Sequence, residues 1–287
     1  MTTNRQFSLA LEALVELKLD TASPPLRAKP VPSPALAPGA SVDQRFDELS
    51  ASTQGRPAAP TLSGVLSEIG SLPREALFLG IASDGLPVLL NLRDPIPGPL
   101  LIVGDAGAGK TAFLQTLVRG LHQTHRSEDV QFGVIASHPD EWEGVEATPH
   151  RVGIFPVYEN NAQDFLLSLA SWAHGNNKSK QAILLLIDDL EAIAKLDFDA
   201  LQNFRWLLLR GPARRVWPII TLNAERYGQV LSWIPMFRTR IFGKIAQERI
   251  AGALGGDQAS ALNLLEAGIQ FSLRENGKWL RFWLPSC

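Results

Sequence analysis

The chain has 287 residues, 45% of them apolar and 20% charged, which is the composition of an ordinary globular protein. Its formal net charge of −2 argues against a protein that coats nucleic acid with one broad basic face, but not against a ring that grips it with a few residues per subunit. The single cysteine, Cys287, rules out an intrachain disulfide, and no apolar run reaches the ~20 residues that span a bilayer, so we expect a cytoplasmic protein without a membrane span.

The first 60 residues differ in composition from the rest. Apolar residues at helical spacing over 6–19 predict an amphipathic helix within residues 1–20, which either packs on its own domain or docks on a partner protein. Residues 21–60 are rich in proline, alanine and serine and predict a disordered linker or tether. The folded domain is expected to occupy residues 61–287.

Residues 61–287 alternate between predicted strands and helices. Thr61 can cap a helix that runs to Ile69, and Asp84-Gly85 between two apolar runs predicts an N-terminal hairpin. The predicted strands cover 76–82, 87–92, 100–103, 130–136, 182–187, 216–222, 268–273 and 279–284, the last two as a terminal hairpin. The predicted helices cover 110–122, 163–173, 198–209 and 247–254. Near-continuous apolar strands predict an α/β fold whose mostly parallel sheet is covered on both faces.

Residues 104–111, the phosphate loop, read GDAGAGKT and match the pattern G-x-x-x-x-G-K-[ST] between a predicted strand and helix. Glycines let the backbone turn its N–H groups toward phosphates, and the following helix adds its positive end. Lys110 is expected to reach the outer phosphates and the Thr111 hydroxyl to ligate Mg²⁺, so the cofactors are ATP and Mg²⁺. The residues expected to contact the nucleotide are Gly104, Asp105, Ala106, Gly107, Ala108, Gly109, Lys110, Thr111 and Ala112.

Two further strands end in polar residues. The apolar run 182–187 leads into Asp188, which is the expected second Mg²⁺ ligand, and Asp189, which is placed to orient or deprotonate water. Glu191 is an alternative base, and a helix cap or solvated acids are the structural alternatives. The strand over 216–222 is followed by Asn223, which either positions the water or simply forms a turn. Lys110, Asp189, Glu191 and Asn223 are therefore the candidate catalytic residues.

An arginine from a neighbouring subunit accelerates many phosphoryl transfers. Several arginines are candidates for that role, although each taken alone is typical of a solvated surface: Arg210, Arg214, Arg215, Arg226, Arg238 and Arg240.

The order of these signals resembles the FtsK/HerA-like motor ATPases over about residues 65–285. The stretches 79–88 (LGIASDGLPV) and 98–103 (GPLLIV) are similar to the family's approach to the phosphate loop. The stretches 234–241 (IPMFRTRI) and 264–268 (LLEAG) are similar to its ending. The acidic pair is Asp188-Asp189 rather than Asp-Glu, as in the variant domains of EccC secretion motors, and Asn223 stands where the family usually has Gln.

The resemblance implies a RecA-like core, a homo-oligomeric ring, ATP hydrolysis and translocation of DNA or of a protein chain. A second hypothesis is a nucleotide-gated adaptor or signalling ATPase with little turnover, which binds a partner through residues 6–19. A small-molecule kinase is a weaker third, because no arginine-rich lid is evident. All three hypotheses depend on nucleotide binding at the phosphate loop.

Overall fold

The structure is a computed structural model that describes residues 60–145, 147–176, 179–256, 261–275 and 278–286. The predicted helix within residues 1–20 and the linker up to residue 59 lie outside these ranges and stay predictions. None of the helices in the described ranges has the length and apolarity needed to cross a membrane.

The helices and strands follow the predicted order closely. The strands are β1 (Ala76–Ala82), β2 (Pro87–Asn91), β3 (Leu100–Gly104), β4 (Val130–Ala136), β5 (Arg151–Pro156), β6 (Ala182–Asp188), β7 (Val216–Asn223), β8 (Thr239–Phe242), β9 (Gln270–Glu275) and β10 (Lys278–Trp283). The helices are α1 (Leu62–Ile69), α2 (Lys110–Thr124), α3 (Asn160–Gly175), α4 (Leu190–Ile193), α5 (Phe198–Arg210) and α6 (Glu248–Gly255).

All ten strands join one sheet in the order β2-β1-β10-β9-β8-β3-β7-β6-β4-β5. The six strands from β8 to β5 pair in parallel, and β9, β10, β1 and β2 extend the sheet by antiparallel pairing. This confirms the predicted α/β fold with a mostly parallel sheet, an N-terminal hairpin and a terminal hairpin. Because β3, β6 and β7 run in parallel side by side, their polar ends meet at one edge of the sheet.

The central strands are buried on both faces, as their apolar sequences require. In β3, Leu101 and Val103 pack into the core beneath α3, α5 and α6, whereas Leu100 and Ile102 pack into the core beneath α2 and the β1–β2 hairpin. These four side chains are fully inaccessible to solvent. The strand that leads into the phosphate loop therefore has little freedom to move.

Strands β5 and β8 and the short helix α4 were not predicted. β5 lies at the sheet edge with its side chains partly exposed, and it contains Gly153 and Pro156, so it lacks a strand-like apolar run. β8 has only four residues, one of them Arg240, and is held between β3 and β9 by tertiary pairing. The terminal hairpin begins at Gln270 rather than 268, because Gly268 adopts a left-handed φ of 82° before the strand.

The start of α5 offers a simple test of the local structure. The Asp197 side chain accepts a 2.8 Å hydrogen bond from the Ala200 N–H and so caps the helix. Asp197→Ala is expected to lower the free energy of unfolding by about 1 kcal/mol in urea titrations, the usual cost of losing such a cap. Asp199→Ala, in the same first turn but not at the cap, serves as the control and should change it by less than about half of that.

Candidate nucleotide-binding site

The phosphate loop connects β3 to α2 at the carboxyl edge of the parallel strands. Gly107 and Gly109 have left-handed φ angles of 73° and 85°, which glycine adopts at little cost. Gly109 is the N-cap residue of α2 and has no side chain to cap it, so the first N–H groups of the helix stay available to a ligand. A loop of this shape followed by a helix N-terminus is a site for an anion.

Neighbouring segments hold the loop in place. The Asp105 N–H donates to the Lys244 carbonyl at 2.9 Å, and the Asp105 carboxylate accepts from the Ala246 N–H at 2.7 Å. On another side the Gly268 N–H donates to the Ala108 carbonyl at 3.2 Å. A Cβ atom on Gly109 would lie 2.5 Å from the Gly268 Cα, so this contact requires glycine at 109. The segments before α6 and β9 thus form the walls of the loop.

Lys110 provides the cation of the site. Its ammonium donates to the Asp105 carbonyl at 2.8 Å, inside the loop itself. Burial lowers the pKa of Lys110, while the negative charges of Asp188, Asp189 and Glu191 act in the opposite direction. A partly desolvated ammonium among carboxylates gains a strong interaction when a polyphosphate binds, because its charge is weakly screened there.

Asp188 at the end of β6 faces the first turn of α2. Its two carboxylate oxygens accept hydrogen bonds from the Thr111 and Thr221 hydroxyls, both at 2.8 Å. Burial raises the pKa of Asp188, and these two hydrogen bonds oppose the rise because they stabilise the charged form. The adjacent hydroxyl and carboxylate oxygens of Thr111 and Asp188 are the hard donors that Mg²⁺ prefers, so the residues present fit the predicted ion.

Asp189 has an unusual backbone. Its φ and ψ are both 90°, outside the regions that non-glycine residues favour, and its N–H donates to the Thr221 hydroxyl at 2.9 Å. Strained backbone of this kind concentrates at functional sites. Its role as a base stays a prediction, since the structure fixes its position and not its chemistry.

Glu191 lies inside the site rather than in solvent, which decides against the solvated alternative. Its side chain is only 4% exposed, and one carboxylate oxygen lies 3.3 Å from Arg226. The other oxygen is buried without a hydrogen-bond partner among the described residues. Burial raises the pKa of Glu191, opposed in part by Arg226 and Lys110.

Asn223 lies beside the loop, because the register of β3 and β7 places it level with Gly104. Its side-chain oxygen accepts a 3.2 Å hydrogen bond from the Glu225 N–H and caps the turn that follows. The amide nitrogen is the group left to act on a ligand. Thr221 was not among the predicted site residues, although a hydroxyl within an otherwise apolar strand is a recognisable signal.

The candidate arginines lie in two places. Arg226 is at the carboxyl edge beside Glu191, whereas the other five are at or near the amino ends of β7 and β8. The expectation of solvated side chains is wrong for two of them. Arg215 donates to the carbonyls of Leu92 and Lys180, and Arg240 to those of Phe237, Leu254 and Ile234. Burial lowers the pKa of both.

Comparison with known proteins agrees with this geometry. Residues 76–165, from β1 into α3, match the model of the FtsK/SpoIIIE family. No curated protein matches the chain. Many solved structures share the fold, and three of them are representative. The cytoplasmic domain of the type VII secretion ATPase EccC from Thermomonospora curvata has a TM-score of 0.62 and 17% identity, over 80% of this chain and 32% of that one.

The second structure is EssC, ATPases 2 and 3, from Geobacillus thermodenitrificans, with a TM-score of 0.63 and 12% identity over 80% of this chain and 47% of that one. The third is the pCW3 conjugation coupling protein TcpA, with a TM-score of 0.60 and 13% identity over 79% and 70%. The chain thus spans about a third of the solved EccC chain and about half of the solved EssC chain.

The fold and the phosphate loop are those of the P-loop NTPase class. Within that class, the family-model match over residues 76–165 and the shared fold confirm the resemblance to FtsK-like ATPases that the sequence predicts.

Proposed function

We propose that the chain binds Mg·ATP in the phosphate loop and hydrolyses the terminal phosphate. The observation that supports this most directly is the 2.8 Å hydrogen bond from Thr111 to Asp188. It joins the helix that follows the phosphate loop to the acid at the end of β6, residues that are 77 positions apart in the chain. A buried carboxylate is costly to keep for packing alone, even with two hydrogen bonds, which favours a functional role for Asp188.

Each residue would act on a different part of the ligand. The loop N–H groups and Lys110 would hold the phosphates, and Thr111 and Asp188 would hold Mg²⁺, which neutralises the developing charge. Asp189 would orient the attacking water and accept its proton, with the Asn223 amide beside it. Glu191, already paired with Arg226, would tune the local charge rather than act as the base.

Hydrolysis would drive translocation by a homo-oligomeric ring in the cytoplasm. The support is the FtsK-like family match and the fold shared with secretion ATPases and a conjugation coupling protein. The substrate would be DNA or a protein chain threaded past the subunits. Ring assembly would also bring an arginine of one subunit to the nucleotide of the next.

An ATPase assay on the full chain, with and without double-stranded DNA and with the molar mass measured by light scattering, tests this proposal. We expect ATP-dependent oligomers and a turnover stimulated by the polymer that is moved. A monomer at every nucleotide concentration, with a turnover that no added polymer changes, would contradict the motor.

The short side chain of Asp189 favours a second candidate function, that of a nucleotide-gated adaptor with little turnover. A glutamate would reach about one methylene further toward the water, whereas Asp189 is short and its backbone is held by Thr221. On this alternative the chain retains ATP and binds a partner through residues 6–19. Loss of a partner on deletion of residues 1–60, with nucleotide binding intact, would support it.

The variant Asp189→Glu distinguishes the hydrolysing motor from the nucleotide-gated adaptor. If the short side chain limits hydrolysis, this variant is expected to raise the turnover about tenfold or more, since a positioned base contributes at least that much. Asp189→Asn removes the base with little change in size and serves as the matched control, for which we expect no rise. Equal single-turnover rates in the wild type and both variants would show that Asp189 takes no part in hydrolysis.

A further inference from the structure

A cavity lies at the amino end of strand β8, away from the phosphate loop. It has a volume of about 160 Å³ and lies between the amino end of β8, the end of α6 and β9. Three of its lining residues are arginines, Arg238, Arg240 and Arg274, and the remainder are apolar residues or glycine. Among the described residues that line it, none is acidic.

Two of these arginines face each other across neighbouring strands. β8 and β9 pair with Ile241 opposite Leu273, so the same register places Arg240 opposite Arg274 on one face of the sheet. Like charges directly opposite each other destabilise a sheet. The fold nevertheless keeps them together, beside a third arginine two residues away, so positive charge is concentrated at this place.

The fold uses only part of their hydrogen-bonding capacity. Arg240 donates to three backbone carbonyls, and Arg274 donates to the Gly255 carbonyl at 2.7 Å while lying over the Trp279 ring. A guanidinium has five N–H donors, so both arginines keep donors for another acceptor. Arg238 is exposed, and its aliphatic stem lies beside Gly98.

Among the described residues, no carboxylate lines this cavity or forms an ion pair with its arginines. Burial lowers the pKa of Arg240, and no carboxylate of the described residues contributes an opposing effect. The carbonyls at the end of α6 supply only partial negative charge. A half-buried guanidinium without a carboxylate partner is expected to gain from an external anion.

The cavity is separate from the phosphate loop. In the β3–β8 register Arg240 is level with Leu101, whereas the loop begins at Gly104 at the opposite end of the strand. Three residues of strand correspond to about 10 Å. A single phosphate group therefore cannot contact both places.

We propose that this cavity, the arginine cavity, binds a phosphate group through Arg238, Arg240 and Arg274. Planar guanidinium groups recognise phosphate oxygens by paired hydrogen bonds. The phosphate has two sources, a free phosphate ion or the backbone of a nucleic acid. The inference does not depend on ATP binding or hydrolysis, because it uses no residue of the phosphate loop.

The test uses the full chain with Lys110→Ala, which removes the phosphate-loop cation from all samples. Inorganic phosphate is titrated by calorimetry, and a short DNA duplex by fluorescence anisotropy, at constant ionic strength. We expect saturable binding of at least one probe, weakened about tenfold by Arg238→Gln and by Arg274→Gln, the effect of losing a charge-assisted contact. Arg205→Gln, an exposed arginine of α5 outside the cavity, is the matched control and should leave the affinity within about twofold.

The outcomes distinguish the two sources of the phosphate group. Saturation by inorganic phosphate assigns the cavity to a free ion, and binding of the duplex alone, with loss in both cavity variants, assigns it to a nucleic acid backbone. Saturable binding of neither probe overturns the proposal, and so does binding that both cavity variants leave unchanged. Arg238→Gln keeps the inference testable even if Arg274→Gln unfolds, because no hydrogen bond of the described fold is assigned to the Arg238 side chain.

Discussion

Lys110→Ala is expected to weaken the binding of Mg·ATP at least a hundredfold. The ammonium is the only lysine or arginine charge bonded within the phosphate loop, and it is partly buried. Its loss removes charge-assisted hydrogen bonds to the outer phosphates, each worth about 1.5–3 kcal/mol, in a place where water cannot fully replace them. Calorimetric titration of Mg·ATP into the purified variant measures the change.

The control for this experiment is Lys195→Ala, because Lys195 is exposed and lies outside the loop. It should bind as the wild type does. The fold should also survive Lys110→Ala, since burial of the ammonium carries a desolvation cost and its one described hydrogen bond is to the Asp105 carbonyl. Retained affinity in a folded Lys110→Ala variant would refute nucleotide binding at this loop.

Asp188→Asn is expected to separate nucleotide binding from hydrolysis. The amide keeps the shape of the carboxylate and can still bond Thr111 and Thr221, but it loses the charge that favours Mg²⁺. ATP affinity without Mg²⁺ should stay within a few-fold, whereas Mg²⁺-dependent turnover should fall about a hundredfold to a thousandfold. Paired titrations with and without Mg²⁺, and a phosphate-release assay, give both quantities.

The same variant has a second expected result, in stability. Burial raises the pKa of Asp188, so ionising this carboxyl costs more in the folded protein than in the unfolded chain. The free energy of unfolding therefore falls as the pH rises through the folded-state pKa. Removing the charge should therefore leave the nucleotide-free protein at neutral pH as stable as the wild type, or more so. Asp199→Asn, on an exposed helix turn, is the control. A clearly less stable Asp188→Asn protein would mean that the carboxylate is chiefly structural.

The phosphate loop and the strands around it could be predicted from the sequence because each depends on local features. A fully apolar run as short as 182–187 favours a buried strand over a helix, and the glycines of the loop are needed by the backbone itself. The acids at the end of β6 lie beside the phosphate loop because parallel strands bring their carboxyl ends together.

Features that depend on distant contacts were not predictable. Glu191 is buried, and one of its carboxylate oxygens meets Arg226, which is 35 positions along the chain. β8 is a strand because β3 and β9 pair with it on either side. Likewise, Arg240 donates hydrogen bonds to backbone carbonyls of segments that the local sequence does not identify as its neighbours. In each case the pairing partner, and not the residue type, decides the outcome.

The contact between Gly109 and Gly268 ties the terminal hairpin to the nucleotide loop. With 2.5 Å between a hypothetical Cβ at 109 and the Gly268 Cα, neither backbone can shift toward the other. A side chain at 109 would require the chain near 268 to move away, and the left-handed φ of 85° would strain it even then. Any displacement of the loop would also act on β9 and β10, which connects the phosphate loop mechanically to the antiparallel part of the sheet.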